Sequence, residues 1–240
     1  MQSLADLKIV IVGGGTGMGA ASARALSQAG AKVVIGGRRM EVLESAAEGT
    51  DIHCETIDVS DRENTNAFFA AAKEKLGQID VMINAAGVNI KNRSMVDMTP
   101  EQWDQVLAIN ATGAYNCLHA VLPEMRERKS GLIINVSSVA GKRAIALGGI
   151  AYSSSKFAMT ALSTCVANEV APDGVRITNV YPGEVNTPLL EQRPAPVSEE
   201  HKQRILQPEH VAELIVSLIA LPTEVHIPEV VVKPLSQGWY

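Results

Sequence analysis

The sequence is short of the features that hold secreted or metal-stabilised chains together. It has three cysteines, Cys54, Cys117 and Cys165, an odd number with no paired spacing. That speaks against a disulfide framework and a zinc site, and it fits a reducing compartment. The five histidines, His53, His119, His201, His210 and His226, share no metal-ligand spacing either, so no metal is expected. An excess of basic charge is also missing. A formal net charge of −5 supplies no field for nucleic acid or an anionic membrane, and any anion has to be held locally. Nor is there a long apolar run. The longest uncharged stretch, Gln105 to Pro123, contains Asn110, Thr112, Asn116 and His119 and is too polar for a lipid span of about 20 apolar residues. Met1 to Lys8 carries Asp6 and lacks a basic region leading into an apolar cleavage segment, so it does not read as a signal peptide. Repeats and low-complexity tracts are absent. The expectation is a soluble cytoplasmic protein whose 240 residues, 46% of them hydrophobic, form one domain over residues 1–240.

What is present is a rhythm of short apolar runs: Ile9–Val12, Val33–Ile35, Val81–Ile83, Leu132–Val136, Arg176–Val180 and Val230–Val232. They are rich in Val and Ile and lack clean alternation, as suits strands buried on both faces of a parallel sheet. Helical stretches between them make βαβ units, an α/β class. Ser60 with Glu63, and Thr99 with Gln102, have capping-box form, which predicts helices starting near Asp61 and at Pro100. Two more are expected from near Tyr152 to Val170 and from Pro208 to Ala220. Residues 183–207 are irregular and hold Pro188, Pro194 and Pro196. A linker would need a second domain, and too little chain follows, so a lid over a site is the better reading.

Directly after the first run comes Gly13-Gly14-Gly15-Thr16-Gly17-Met18-Gly19, opening into a helical segment. Glycine there lets backbone N–H groups and a helix N-terminus approach a pyrophosphate. The spacing of Gly13, Gly17 and Gly19 is G-x-x-x-G-x-G. A carboxylate at the end of the second strand would accept the ribose 2′-hydroxyl of NAD. The chain has Gly36-Gly37-Arg38-Arg39 there, and two guanidinium groups suit a 2′-phosphate, favouring NADP(H) over NAD(H). Farther on, Tyr152 and Lys156 stand at i and i+4, on one helix face. A cation beside the phenol would lower its pKa and fit it for proton exchange.

The same chain holds Asn84-Ala85-Ala86-Gly87, Asn110, Asn135-Val136-Ser137-Ser138 and Tyr181-Pro182-Gly183-Glu184-Val185-Asn186-Thr187. In this order and spacing, with the glycine turn and Tyr152/Lys156, these motifs strongly resemble the short-chain dehydrogenase/reductase family over nearly the whole chain. The resemblance implies a Rossmann-type doubly wound parallel sheet of about seven strands with helices on both faces. By the same resemblance Tyr152 looks like the general acid/base and Ser138 the holder of the substrate oxygen. Lys156 would tune the tyrosine and bind the nicotinamide ribose, and Asn110 would fix a water in the proton relay. Asp58 and Val59 look like the adenine contact, and Asn84, Ala85, Ala86 and Gly87 the wall by the adenosine ribose. Val185 and Thr187, after Pro182 and Gly183, look like the carboxamide contacts. Departures are Val12 where threonine is usual, Thr16 where NADP-preferring members are often basic, and a tail without the glycine-rich ending of many tetramers. The expected activity is NADP(H)-linked interconversion of a small secondary alcohol and its ketone by a homo-oligomer, dimer or tetramer. An NAD-linked enzyme, or an idle dinucleotide-binding sensor or structural subunit, is the alternative.

Overall fold

A computed structural model describes residues 3–238; the outermost residues of the expected domain, 1–2 and 239–240, lie outside the described residues. The strands β1 (Lys8–Val12), β2 (Lys32–Gly37), β3 (His53–Thr56), β4 (Val81–Asn84), β5 (Gly131–Val136), β6 (Val175–Pro182) and β7 (Glu229–Val232) form one sheet. Its order is β3-β2-β1-β4-β5-β6-β7, and every neighbouring pair is parallel. This is the doubly wound Rossmann-type arrangement, and its topological switch lies between β1 and β4, where strand order reverses.

Alternation along each strand sends side chains to opposite faces. Ile9 and Ile11 join one cluster with Val33, Ile35, Val81 and Ile83. There they meet Leu26 of α1 (Gly17–Gln28), Leu43 of α2 (Met40–Ala47) and Ile215 of α8 (Pro208–Ile219). Val10 and Val12 join the other cluster, with Phe68 of α3 (Arg62–Leu76), Leu118 of α5 (Gly113–Glu127) and Val170 of α6 (Ile150–Val170). All four of these β1 side chains are fully buried, each contributing about 2 kcal/mol of apolar transfer. Burial on both faces is why the strand reads as a continuous apolar run.

Helix starts follow their caps with two adjustments. Thr99 caps α4 (Pro100–Leu107) in a complete capping box with Gln102. The expected Ser60/Glu63 box does not form. Asp61 caps α3 by accepting from the Asn64 N–H at 3.0 Å, and Ser60 turns to the Asp58 carboxylate. Helix α6 begins at Ile150, two residues before Tyr152. Between α4 and α5 a π-helical turn, Ala108–Thr112, joins the two into one rod. Strand β3 has no apolar run to announce it: His-Cys-Glu-Thr is only partly buried at the sheet edge.

The segment 183–207 folds as a flap on a closed neck. A parallel bridge pairs Val185 with Leu206, and the Asn186 N–H donates to the Leu206 carbonyl at 2.8 Å. Between them lie a 3-10 turn, Pro188–Gln192, and the short helix α7 (Glu199–Arg204). No helix among the described residues is long and apolar enough to cross a membrane.

Candidate active site

The carboxyl ends of β1, β2 and β4 open into a cleft of about 620 Å³. Gly13, Gly15, Thr16, Gly17, Met18 and Gly19 line its floor, and Arg38, Arg39, Asp58, Val59, Ala85, Ala86 and Gly87 line its sides. Two glycines of the turn are there for the chain's own packing. A Cβ on Gly19 would sit 2.1 Å from the Gly13 carbonyl oxygen, and one on Gly13 would sit 2.6 Å from the Ala86 nitrogen. At the switch point the turn, α1 and the loop after β4 thus approach too closely for any side chain, and these glycines are required even before a phosphate is considered. The resulting cradle, at the start of a helix with no acid in its first turn, fits a dinucleotide pyrophosphate. Arg38 and Arg39 are exposed at the mouth and form no ion pair among the described residues.

A smaller cavity of about 110 Å³ adjoins this cleft, and Met18, Asn89, Thr187 and Leu189 border both. Ser138 and Tyr152 face it, with Pro182, Gly183 and Val185 from the end of β6 and its loop. β5 stops at Val136, so both Ser137 and Ser138 border the cavity. Burial pushes the Tyr152 phenol above its ordinary pKa, while a hydrogen bond with Ser138 and the Arg93 charge pull it down. Lys156, 3% exposed, shares the helix face as expected, its Nζ 5.8 Å from the Tyr152 ring centre. The ammonium donates to the Val136 carbonyl at 3.1 Å, and burial brings its pKa down to about 8.

Asn110 sits in the π-helical turn, a distortion that recurs at functional sites. Its Oδ1 accepts from the Val88 N–H at 2.8 Å, and its Nδ2 donates to the Val88 carbonyl and to Ser155 Oγ at 2.9 and 3.0 Å. It clamps the loop after β4 to α6. A Cβ on Gly87 would lie 3.4 Å from Lys156 Nζ and 3.5 Å from Asn110 Oδ1, so Gly87 stands between the cleft and these two groups. Asn84 corrects an expectation: it is buried and does not line the cleft, and its Oδ1 accepts from the Ala86 N–H, shaping the turn instead.

A family model described as short chain dehydrogenase matches residues 8–197. The chain belongs to the short-chain dehydrogenase family. It is 34% identical to an uncharacterised oxidoreductase of Listeria monocytogenes, across 96% of this chain and 97% of that one. It superposes on an alcohol dehydrogenase of the archaeon Thermococcus sibiricus complexed with 5-hydroxy-NADP with a TM-score of 0.86, at 27% identity, covering 98% of this chain and 100% of the other. A serine dehydrogenase complexed with NADP+ gives 0.88, at 28% identity and 96% coverage of each chain. As a short-chain dehydrogenase it is an oxidoreductase that binds a nicotinamide dinucleotide.

Sequence reasoning placed residues 91–95, 143–149 and 183–207 around the substrate pocket without singling out the side chains that build the smaller cavity. Arg93, Glu184, Arg193 and Gln237 all line it. Arg93 donates to three carbonyl oxygens on three segments: Ile90 at 2.8 Å, Leu147, and Gln192 of the flap at 2.7 Å. Glu184 Oε2 accepts from Arg193 Nη2 at 2.6 Å and pairs with His201 Nε2 at 2.8 Å. Gln237 accepts from the Glu184 N–H, bringing the tail to the cavity wall. Lys91 lines a larger outer groove. The remaining histidines serve locally. His210 Nδ1 accepts from the Gln207 N–H at the start of α8, and His226 meets the Ile177 carbonyl. No group of three or more His, Cys, Asp or Glu among the described residues is placed to hold a metal.

Proposed function

We propose that the whole chain acts as one catalytic domain that interconverts a small secondary alcohol and its ketone, with Tyr152 as acid/base and NADP(H) as the preferred cofactor. The carrying observation is the shared cavity in which Ser138 and Tyr152 meet beside the dinucleotide cleft. When bound in that cleft, the nicotinamide exchanges hydride with the carbon that bears the substrate oxygen. The chain's part is the oxygen and its proton. Ser138 holds the oxygen by a hydrogen bond. Tyr152 gives up or takes the proton, and its neighbours Ser138 and Arg93 favour the ionised form against the cost of burial. Asn110 keeps the loop after β4 and α6 in register, and Lys156 sits behind Gly87 where it reaches towards a ribose. Arg38 and Arg39, just past the end of β2 and without an ion pair among the described residues, support recognition of a 2′-phosphate.

The test is Tyr152→Phe. Cofactor affinity measured by fluorescence titration stays within about threefold of the parent, while kcat for a proven alcohol falls about 1,000-fold, as general acid/base catalysis contributes. Undiminished turnover removes Tyr152 from the role.

A further inference from the structure

The cavity beside Tyr152 holds more positive charge than its own residues balance. Its charged lining residues are Arg93, Arg193 and Glu184. Glu184 spends one carboxylate oxygen on both Arg193 and His201, and the pairing holds its pKa below the ordinary value. Arg93 has only carbonyl oxygens for partners and no ion pair among the described residues. Burial and the nearby Arg193 charge both push its pKa down, so the two guanidinium groups sense each other. Arg193 is 15% exposed and uses one Nη2–H. Among the described residues, its Nε and Nη1 meet no acceptor. Two cations and one shared carboxylate in a space of about 110 Å³ leave a partly desolvated positive charge, which is costly unless an anion meets it.

We propose that the substrate supplies that anion: it is a small hydroxy acid, or the matching oxo acid, whose carboxylate is taken by the free edge of Arg193. This rests on the oxidoreductase reading above and names its substrate class. A guanidinium edge presents two parallel donors that match a carboxylate. Arg93 serves a different purpose. Each of its three nitrogens already donates to a carbonyl, and these contacts tie the flap residue Gln192 to the loop that leads into α6 and to the loop after β4, setting the wall against which the acid lies. The carbinol end is then left for Ser138 and Tyr152, which line the same cavity. In oxidation the carbinol C–H bond breaks and its hydrogen leaves with the electron pair to the oxidised nicotinamide. The O–H bond breaks with its proton going to Tyr152, and the C–O bond becomes C=O.

The pocket is tested by binding, apart from turnover. Tyr152→Phe saturated with NADP+ is titrated calorimetrically with lactate and 3-hydroxybutyrate, and with the methyl ester of each. At least one acid binds 10-fold or more tightly than its ester, and adding Arg193→Gln brings that ratio below about threefold. Arg193→Lys, which keeps the charge and loses the fork, retains an intermediate ratio and guards against a folding artefact. Esters that bind as tightly as both acids, or a ratio that survives Arg193→Gln, overturn the carboxylate pocket. Tight, Arg193-dependent acid binding with no NADP+ reduction by the unmutated enzyme upholds the pocket and refutes the oxidoreductase reading instead.

Discussion

The two halves of the site are built by opposite means. The dinucleotide cleft is made of backbone, in a place where β1, β4 and α1 crowd so closely that Gly13 and Gly19 have no room for a Cβ. The smaller cavity beside it draws its charged and amide side chains from loops: Arg93 after β4, Glu184 and Arg193 in the flap, and Gln237 in the tail. A backbone cradle leaves a mark at fixed spacing, because only glycine satisfies it. A side-chain cavity leaves none, since many residue types in many loops reach the same point.

That contrast is open to measurement, and the largest expected effect concerns the charge that lies between the halves. Burial lowers Lys156 to about 8 from a reference near 10.4, so the native state binds fewer protons than the unfolded chain between those values. Stability then rises with pH across the window, and the penalty for burying the charge is in full force below it. Without cofactor, the unmutated protein should gain roughly 3 kcal/mol on Lys156→Met between pH 7 and pH 10.5, read by urea unfolding. A constant difference would mean that the ammonium is not desolvated.

On the backbone side, Gly19→Ala places a Cβ against the Gly13 carbonyl. Strain near 3 kcal/mol, the upper end for overpacking, should weaken NADPH binding about 100-fold while leaving the acid-over-ester preference intact. If the variant binds NADPH normally, the turn has slack that the packing denies. Next comes Arg38→Ala, which should cost about 10-fold in NADPH affinity and little in NADH affinity, the scale of one charge-assisted hydrogen bond. Equal losses for both cofactors would remove the 2′-phosphate role.

The smallest effect belongs to Arg93. Its charge pulls the Tyr152 pKa down, so Arg93→Met should move the acidic limb of the pH profile for alcohol oxidation, where turnover needs the ionised phenol, to higher pH. Arg93→Lys, which keeps the charge but cannot bridge three carbonyls, should leave the limb in place and raise KM. A limb that stays put in both variants would show that Ser138 alone tunes the phenol.

Legibility in the sequence follows the same divide. The six apolar runs became six of the seven strands: five are buried on both faces and need unbroken Val and Ile, and the sixth, β7, keeps a run of valines although it is a half-exposed edge. The edge strand His53–Thr56 escaped because half-exposed residues need no such pattern. Tyr152, Lys156, Ser138 and the glycine turn were legible through fixed spacing on one helix, one strand end and one turn. The spacing of Tyr152 and Lys156 placed both on one face, yet it did not reveal that the ammonium bonds to the Val136 carbonyl. Asn84 looked like part of the cleft wall through the family resemblance, but its side chain turns back to accept from the Ala86 N–H in its own loop. Arg93 lay in a stretch that mixes charged and apolar residues, and only the fold shows that it gathers three segments.

The central claim is that this chain moves a hydride between nicotinamide and an oxygen-bearing carbon at the Tyr152 cavity. NADPH carrying deuterium at the transferable C4 position, incubated with the enzyme and an oxo acid such as acetoacetate, tests it directly by mass spectrometry and NMR of the product. The account predicts a hydroxy acid with one deuterium on the carbinol carbon, formed by the unmutated enzyme and lost with Tyr152→Phe. Product without deuterium, or no consumption of NADPH or NADH across a panel of oxo acids and neutral ketones, would contradict it.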